Sequence, residues 1–368
     1  MKKLIIQYSL LALLMVLTGL ASYGQVFEKN RSLSRSFALD PDTEIQVSNK
    51  YGDIELISWD KDSVKFEIEV KVVSNKESKA TTAFEYIDFD FKSTAHYIIA
   101  KTSFAGQGTF WSEVKDLAST VFTGSTTTHI DYRIFLPANA IIKIDHKYGN
   151  IFISDYDGPL EIKLSNGDLK AYDLSGKTKI DMQFANANIN KINDGELTLG
   201  YYSELRLEEA DELSIDSRSS RLTIGNAGDL RVKSSRDKYF ISKVLVVNAT
   251  TAFSYFEIAE LGKSAKIDAN YGDIVIQNLT EGVSEIDLSG ASTDISIFKD
   301  KEQTISLEVV YNERAGIYFD DELTNKKTLK EDEKYKLVKT IGILGDDNSK
   351  PVKLKAKVLS GEFHIRNK

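Results

Sequence analysis

The sequence predicts an all-β protein, a β-solenoid (β-helix-like) with about ten or more rungs of 17–18 residues and an irregular N-terminal excursion. The first observation is a recurring β pattern. Ile142–Ile153 reads I-K-I-D-H-K-Y-G-N-I-F-I, Lys266–Ile276 reads K-I-D-A-N-Y-G-D-I-V-I, and Asn49–Leu56 reads N-K-Y-G-D-I-E-L. Each copy has two alternating apolar stretches with turn residues between them, which indicates two short strands per rung.

The second observation is the spacing of one apolar position along the chain. The last inward residue of each second strand is predicted at Ile153, Ala171, Ile189, Leu207, Ile224, Ile241, Ile258, Ile276, Ile297 and Phe319. The steps are 17 or 18 residues up to Ile276, and then 21 and 22 residues. One rung cannot bury its own apolar face, so the rungs are expected to stack on one another.

The N-terminus predicts export. Residues 1–24 read as a signal peptide, with basic Met1-Lys2-Lys3, an uncharged apolar run from Leu4 to Leu20, and Ala21-Ser22-Tyr23-Gly24 before the cleavage point. The alternative is an uncleaved membrane anchor, because the run is about the minimum length for a bilayer span. After cleavage at Gln25 we expect a protein of the periplasm, cell surface or extracellular space that is not integral to the membrane. The chain has no cysteine, so stacking alone must stabilise it.

Three regions organise the mature chain. Residues 25–136 form an N-terminal β region that contains a non-repeat insertion at 75–128. Within the insertion we expect a helix at Lys76–Tyr86, a hairpin of Ile87–Phe91 with His96–Thr102, and a second helix at Ser112–Val121. Residues 137–368 form the solenoid, which includes an irregular charged loop at 320–350. The period returns at Leu354–Ile365, which predicts a terminal rung.

The repeated rungs resemble a family of exported bacterial proteins that carry N-x-x-G-D-I-x-I rungs and the name "putative adhesins". The matching segments are Asn49–Leu56, Lys147–Ile153, Ser165–Leu169, Asn270–Ile276 and Ser360–Ile365. The end of the signal segment, Ala21-Ser22-Tyr23-Gly24-Gln25, is also similar to those of many exported proteins from Bacteroidetes. The resemblance covers most of the mature chain, and it implies a β-solenoid at the cell envelope with an adhesin-type role. It carries no catalytic motif.

Carboxylates offer one chemical hypothesis. In each rung, one residue directly follows the last inward residue of the first strand. Stacking predicts that these residues form one column: Asp145, Lys163, Asp181, Gly200, Asp216, Lys233, Asn248, Asp268, Asp287 and Glu308. Asp268, Asp287 and Glu308 would then be three carboxylates without an intervening base. Such a trio suits a weak calcium site, since calcium takes oxygen ligands. The alternative is an outward polar ladder of alternating charge.

Aromatic residues at the turns form a second predicted column: Tyr51, Tyr148, Phe184, Tyr201, Tyr202, Tyr255 and Tyr271. Exposed aromatic rings can stack on sugar rings, which makes Tyr148, Tyr201, Tyr202, Tyr255 and Tyr271 the candidate ligand-binding residues. The rings can equally stack on each other and hold the turns.

The function that these observations favour is a non-catalytic exported envelope protein that binds a cell-surface glycan or protein. A periplasmic scaffold is not separable from it by sequence. The alternative is a β-helix polysaccharide lyase or hydrolase that uses the Asp column. The net charge of −8 disfavours nucleic acid as a partner. No cofactor is expected beyond the weak calcium, and no oligomeric state is predicted.

Overall fold

The computed structural model describes residues 26–104, 126–345 and 351–368, and it is an all-β structure. The signal-peptide segment and the helix expected at Ser112–Val121 lie outside the described residues. The strands of the N-terminal part are β1 (Phe27–Ala38), β2 (Glu44–Lys50), β3 (Ile54–Ser58), β4 (Ser63–Ser74), β5 (Ile87–Ser93), β6 (Tyr97–Phe104) and β7 (Thr126–Leu136). One helix, α1 (Glu77–Glu85), lies between β4 and β5.

The middle of the chain forms the part that we call the stack. Its strands are β8 (Ile141–Lys147), β9 (Ile151–Ile153), β10 (Leu160–Ser165), β11 (Asp168–Gln183), β12 (Asn186–Gly200), β13 (Glu204–Arg218), β14 (Arg221–Ser235), β15 (Lys238–Ala252), β16 (Tyr255–Ile276) and β17 (Glu285–Lys299). The C-terminal strands are β18 (Ile305–Asn312), β19 (Gly316–Phe319), β20 (Thr324–Asp332), β21 (Leu337–Leu344), β22 (Val352–Val358) and β23 (Glu362–Asn367).

From β10 to β17, each strand of the stack pairs in parallel with the next one along the chain, while β8 pairs in parallel with β10 and β9 with β11. Ile189 lies opposite Leu207, Leu207 opposite Ile224, and Ile224 opposite Ile241. The predicted column of anchors is confirmed as far as Ile297, and all of its members up to that point are buried. Burying each Leu or Ile side chain stabilises the fold by roughly 1.5–3 kcal/mol, so the column is a main source of cohesion between the rungs.

Each rung turns a corner between two flat segments. The segments before the corner, such as 213–217, make up what we call the first face. The segments after it, such as 222–224, make up the second face. Buried and exposed residues alternate along both, as expected for strands with one packed side and one wet side.

The N-terminal part continues this pairing. β2 pairs in parallel with β8, and β3 pairs in parallel with β9. β6 and β7 then extend the two faces, and β5, β4 and β1 cover them in antiparallel order. The predicted helix and hairpin are confirmed as α1 and as β5 with β6. The segment expected to leave the stack therefore returns to it through β6.

The C-terminal part departs from the predicted order. The terminal rung is confirmed as β22 and β23, but it enters the sheet between earlier strands. β22 lies between β17 and β18, and β23 lies between β17 and β19. Ile365 consequently separates Ile297 from Phe319, and the prediction that these two are neighbours is wrong. The step of 22 residues spans two rungs in space because a later segment fills the gap.

The charged run of residues 320–336, expected as part of a loop, forms strand β20 and a turn instead. β20 pairs antiparallel with β21, which pairs antiparallel with β18. Nearly every residue of β20 is exposed, because no layer covers it. The strand therefore lacks the apolar alternation that marks a half-buried strand, and its lysines at 326, 327 and 330 suit a sheet edge that resists further pairing.

A buried ion pair fastens this end of the sheet. Lys299, which is 1% exposed, places its Nζ 2.9 Å from the Asp321 carboxylate, and Asn367 donates a hydrogen bond to the same carboxylate at 2.6 Å. Burial raises the pKa of Asp321, but the hydrogen bonds from Lys299 and Asn367 outweigh it and hold the pKa below its usual value. The contact joins the end of β17, the segment after β19, and the end of β23.

Candidate binding surface

At each corner one residue of a row has a left-handed backbone, with φ between 52° and 65°, and Tyr202, which follows a member of this row, has the same conformation. These corner residues are Tyr51, Tyr148, Asn166, Phe184, Tyr201, Ser219, Arg236, Phe253, Tyr271 and Ser292. Hydrogen bonds link them from rung to rung: the N–H of Tyr148 donates to the Ser165 carbonyl at 3.0 Å, and that of Phe253 donates to the Asn270 carbonyl at 2.8 Å. We call this row the corner ladder.

The glycine of the repeat follows from the spacing between rungs. A Cβ on Gly149 would lie 1.7 Å from the Gly52 carbonyl oxygen, and one on Gly272 would lie 2.1 Å from that of Ser254. Backbone therefore occupies the space that a side chain would need, and only glycine fits.

The Asp or Asn after this glycine forms a hydrogen-bonded ladder of its own. Asp53 Oδ1 accepts bonds of 3.0 Å from both the backbone and side-chain N–H groups of Asn150. Asn150 Oδ1 accepts from the Asp168 N–H at 3.0 Å, and Asp168 accepts from Asn186 at 2.9 Å. The Tyr-Gly-Asp-Ile pattern thus has a stacking role at every position.

The aromatic side chains of the corner ladder stack in pairs. The ring centroids are 5.4 Å apart for Tyr51 and Tyr148, 5.5 Å for Phe184 and Tyr201, and 4.8 Å for Phe253 and Tyr271. The three pairs deviate from parallel by 4° to 17°. Tyr202, beside this row, is 82% exposed. The result is a line of rings along one edge of the stack with their outer surfaces in solvent.

Four of the five predicted ligand-binding residues lie at this edge: Tyr148, Tyr201, Tyr202 and Tyr271. Tyr255 does not, because it lies in the second face, where its hydroxyl donates to Glu257 at 2.6 Å. That hydrogen bond, together with burial, raises the pKa of Tyr255 to about 12. Phe253, which was not among the predicted residues, occupies the corner two residues earlier. Its distance of 18 residues from Tyr271 is the signal that marks it.

The carboxylates of the predicted trio do not share a column, so their predicted alignment is wrong. Asp268 lies opposite Ser289, whereas Asp287 lies between Lys266 and Lys355. Glu308 lies beyond Lys355 and forms an ion pair with Lys339 at 2.6 Å. Within residues 26–104, 126–345 and 351–368, no three His, Asp or Glu side chains gather in a way that could hold a metal ion. A two-residue shift keeps the same outward face, so alternation alone could not reveal the misalignment.

The outward columns of the first face carry alternating charge. One runs Lys143, Glu161, Lys179, Glu196, Ser214, Arg231, Asn248, Lys266, Asp287 and Lys355. In the other, the predicted order holds for Asp145, Lys163, Asp181, Asp216, Lys233 and Asp268, with Thr198 and Thr250 in place of Gly200 and Asn248. Opposite charges face each other across most rungs, which stabilises the pairing.

Two of the corners described by the structure contain a buried titratable side chain, Asp237 and His146. Asp237, which is 2% exposed, accepts hydrogen bonds from the hydroxyls of Ser217 and Ser234 and from the backbone N–H groups of Ser220 and Ser235, all between 2.7 and 2.9 Å. These four donors satisfy the Asp237 carboxylate, so its role is to hold the corner together and not to bind a ligand.

His146 is fully buried at the N-terminal corner. Its Nε2 lies 2.7 Å from the Gly52 carbonyl oxygen, and its Nδ1 lies 3.2 Å from that of Asn49. Burial lowers the pKa of His146, although both carbonyls act in the opposite direction. The ring links β8 to the turn between β2 and β3.

Comparison with known proteins gives little further guidance. No family model matches the chain, and no curated protein matches it. Among solved structures, a putative cell adhesion protein from Clostridium sporogenes is 11% identical, with 92% of this chain and 100% of that chain covered and a TM-score of 0.21. A putative adhesin from Parabacteroides distasonis is 13% identical, with 73% and 97% covered and a TM-score of 0.36. These values are too low for the likeness to carry an argument.

None of the helical structure in residues 26–104, 126–345 and 351–368 is long and apolar enough to span a membrane.

Proposed function

We propose that this protein is a non-catalytic, exported envelope protein of the adhesin type, a β-solenoid that binds a cell-surface glycan or protein along one side. The parallel pairing of each rung with the next at intervals of 17 or 18 residues supports the solenoid. The signal-like N-terminus supports export to the periplasm, the cell surface or the outside of the cell.

The observation that carries the binding role is the exposure of bulky aromatic rings at left-handed corners. A non-glycine residue pays roughly 1–2 kcal/mol for this backbone conformation, and glycine or asparagine would fit it with less strain. Tyr148, Tyr201 and Tyr271 are each more than half exposed there, so core burial does not offset the strain. Ring stacking offsets part of it. The outer ring surfaces and Tyr202 are left available to a partner.

The distribution of charge supports binding over catalysis. Acid–base chemistry needs a pair of carboxylates held near each other, whereas Lys163 lies directly between Asp145 and Asp181. Asp216 lies between Thr198 and Lys233, so its column places no second carboxylate next to it. These columns have the arrangement of a charge-balanced outer surface.

The test is a glycan array and a pull-down from surface proteins, each run with the purified protein starting at Gln25 and with the Tyr201→Ala/Tyr202→Ala variant. We expect the parent to bind and the double variant to bind more weakly. Tyr335→Ala is the matched control, because that tyrosine is 59% exposed and lies outside the corner ladder. Turnover of polygalacturonate or alginate by the parent would contradict the non-catalytic proposal. Recovery of the protein with Met1 retained in carbonate-washed membranes would contradict export with cleavage.

A further inference from the structure

The second face carries apolar side chains where strand alternation calls for polar ones. Phe135 and Ile57, which lie opposite each other, point outward beside the buried anchors Leu136 and Leu56. Phe152 points outward between Ile151 and Ile153, and Tyr172 follows the buried Ala171 and is 67% exposed. Outward positions normally face water and favour polar residues. Here β7, β3, β9 and β11, which are successive neighbours in space, each contribute one such apolar or aromatic side chain. Several exposed apolar side chains close together mark a surface with another use.

Three of these outward side chains, Ile57, Phe152 and Tyr172, border a groove of about 610 Å³ that runs along the stack. It extends from Glu55 on β3, past Phe152 and Tyr172, to Glu208 on β13. The four steps between rungs, at about 4.8 Å each, give a length of about 19 Å. A groove of this length accommodates a chain molecule that lies parallel to the stack axis.

Three side chains of the groove have no side-chain partner within the part of the chain that the structure describes: Tyr172, Asn188 and Glu208. Their neighbours are engaged. Lys170 lies 5.9 Å from the Phe152 ring centroid, and Asn190 donates a hydrogen bond to Asp173. The groove therefore presents an aromatic ring, an amide and a carboxylate that are ready for a ligand.

The chemistry of these groups suits a sugar chain. An aromatic ring packs against the apolar C–H face of a sugar ring, while amides and carboxylates bond the hydroxyls around its rim. Charges at the groove are nearly balanced: its lining includes Glu55, Lys170 and Glu208, and Glu55 lies 3.8 Å from Arg133. This balance favours a neutral glycan over a polyanion. A peptide could not bind here as an added strand, because β9, β11 and β12 already pair on both sides.

We propose that this groove binds a linear, uncharged oligosaccharide along the stack axis, with Tyr172 as the stacking platform and Asn188 and Glu208 as hydroxyl-binding groups. The proposal rests on the binding function proposed above and assigns it a ligand class and a second surface, distinct from the corner ladder.

The experiment is titration calorimetry of the purified protein with cellohexaose, xylohexaose, mannohexaose, laminarihexaose and maltohexaose, and with polygalacturonate as the anionic probe. We expect at least one neutral hexasaccharide to bind with an affinity that salt does not change. Tyr172→Ala is expected to weaken that binding about tenfold, because one ring contact is lost. Asn188→Ala should weaken it by a smaller factor, while Tyr172→Phe and the control Tyr335→Ala should bind as the parent does. Retained melting temperatures show that the variants fold.

Two kinds of result overturn the proposal. If no neutral hexasaccharide binds, or only polygalacturonate or a protein binds, the assigned ligand class is wrong. If a hexasaccharide binds and Tyr172→Ala leaves the affinity unchanged while Tyr201→Ala/Tyr202→Ala abolishes it, the site is the corner ladder. In that second case the proposed binding function stands and the groove does not.

Discussion

The middle of the stack and its C-terminal end obey different rules of chain order. From β11 to β16, segments that are consecutive in the sequence are neighbours in space. At the C-terminal end, β22 and β23 enter between β17 and strands that precede them in the chain. The residue spacing of a sequence repeat therefore identifies neighbouring rungs only where the order of the strands in the chain is also their order in space.

The difference has a physical basis in unpaired strand edges. A parallel stack exposes backbone N–H and C=O groups on its last strand, and such an edge pairs readily with other chains. Here the last rung of the sequence lies inside the sheet, and the antiparallel hairpin of β20 and β21 forms the outer boundary of the first face. The C-terminal end is thus held by pieces that are far apart in the chain.

The largest expected effect comes from deleting residues 351–368. The deletion removes β22 and β23, so β18 and β19 lose the partners that connect them to β17. We expect residues 305–344 to lose protection in hydrogen-exchange mass spectrometry, while β12 to β15 keep theirs because their own partners remain. Full protection of residues 305–344 in the truncated chain would show that the inserted rung is not what holds them.

A point substitution in the middle of the stack should have a smaller effect than this deletion. That effect should extend through the whole stack. Ile224→Asp places an unpaired carboxylate between Leu207 and Ile241, which is expected to lower the free energy of unfolding by several kcal/mol. Ile224→Leu is the matched control. Ile365→Asp tests the same column at the C-terminal end, where we expect local loosening instead. If Ile224→Asp melted with the parent, the proposed register would be wrong.

A smaller effect on stability is expected from the N-terminal corner, where it should depend on pH. Because burial lowers the pKa of His146, the folded state disfavours the proton. Below a pH of about 6.5 the unfolded chain binds that proton and the folded chain does not, so stability falls by at most about 1.4 kcal/mol per pH unit until the lowered pKa is reached. Above about 6.5 the effect vanishes. His146→Gln should flatten this slope in thermal melts between pH 7 and pH 5.

The control for that slope is His129→Gln, which removes an exposed imidazole instead of the buried one. If the His146→Gln variant kept the slope of the parent, the buried ring would not be its source.

Most of the regular stack could be predicted from the sequence, because alternation and a fixed period report directly on which residues are buried. The column from Ile153 to Ile297 was predictable for this reason. The insertion of β22 and β23 was not, since nothing local records which earlier strand a late segment joins. β20 was missed because an edge strand that is exposed on both sides has no apolar pattern.

The candidate site was only partly predictable, for related reasons. The turn positions of Tyr148, Tyr201 and Tyr271 follow from the repeat, whereas Tyr255 and Phe253 were confused because both lie close to one turn. The alignment of Asp287 failed by two residues, a shift that leaves a side chain on the same face. The groove at Tyr172 lies between adjacent outward columns of side chains. It could be predicted only if the strand register that places each column were already known.

Engineered disulfides test the inserted rung most directly, because the chain has no cysteine of its own. A disulfide needs Cα atoms about 4.4–6.8 Å apart, which suits residues on adjacent strands at about 4.8 Å but not residues two strands apart. Asp287 lies directly opposite Lys355, and Glu308 lies one strand beyond. We predict that the pair Asp287→Cys/Lys355→Cys crosslinks readily under mild oxidation and that Asp287→Cys/Glu308→Cys does not. Efficient crosslinking of positions 287 and 308, with none between 287 and 355, would contradict the account.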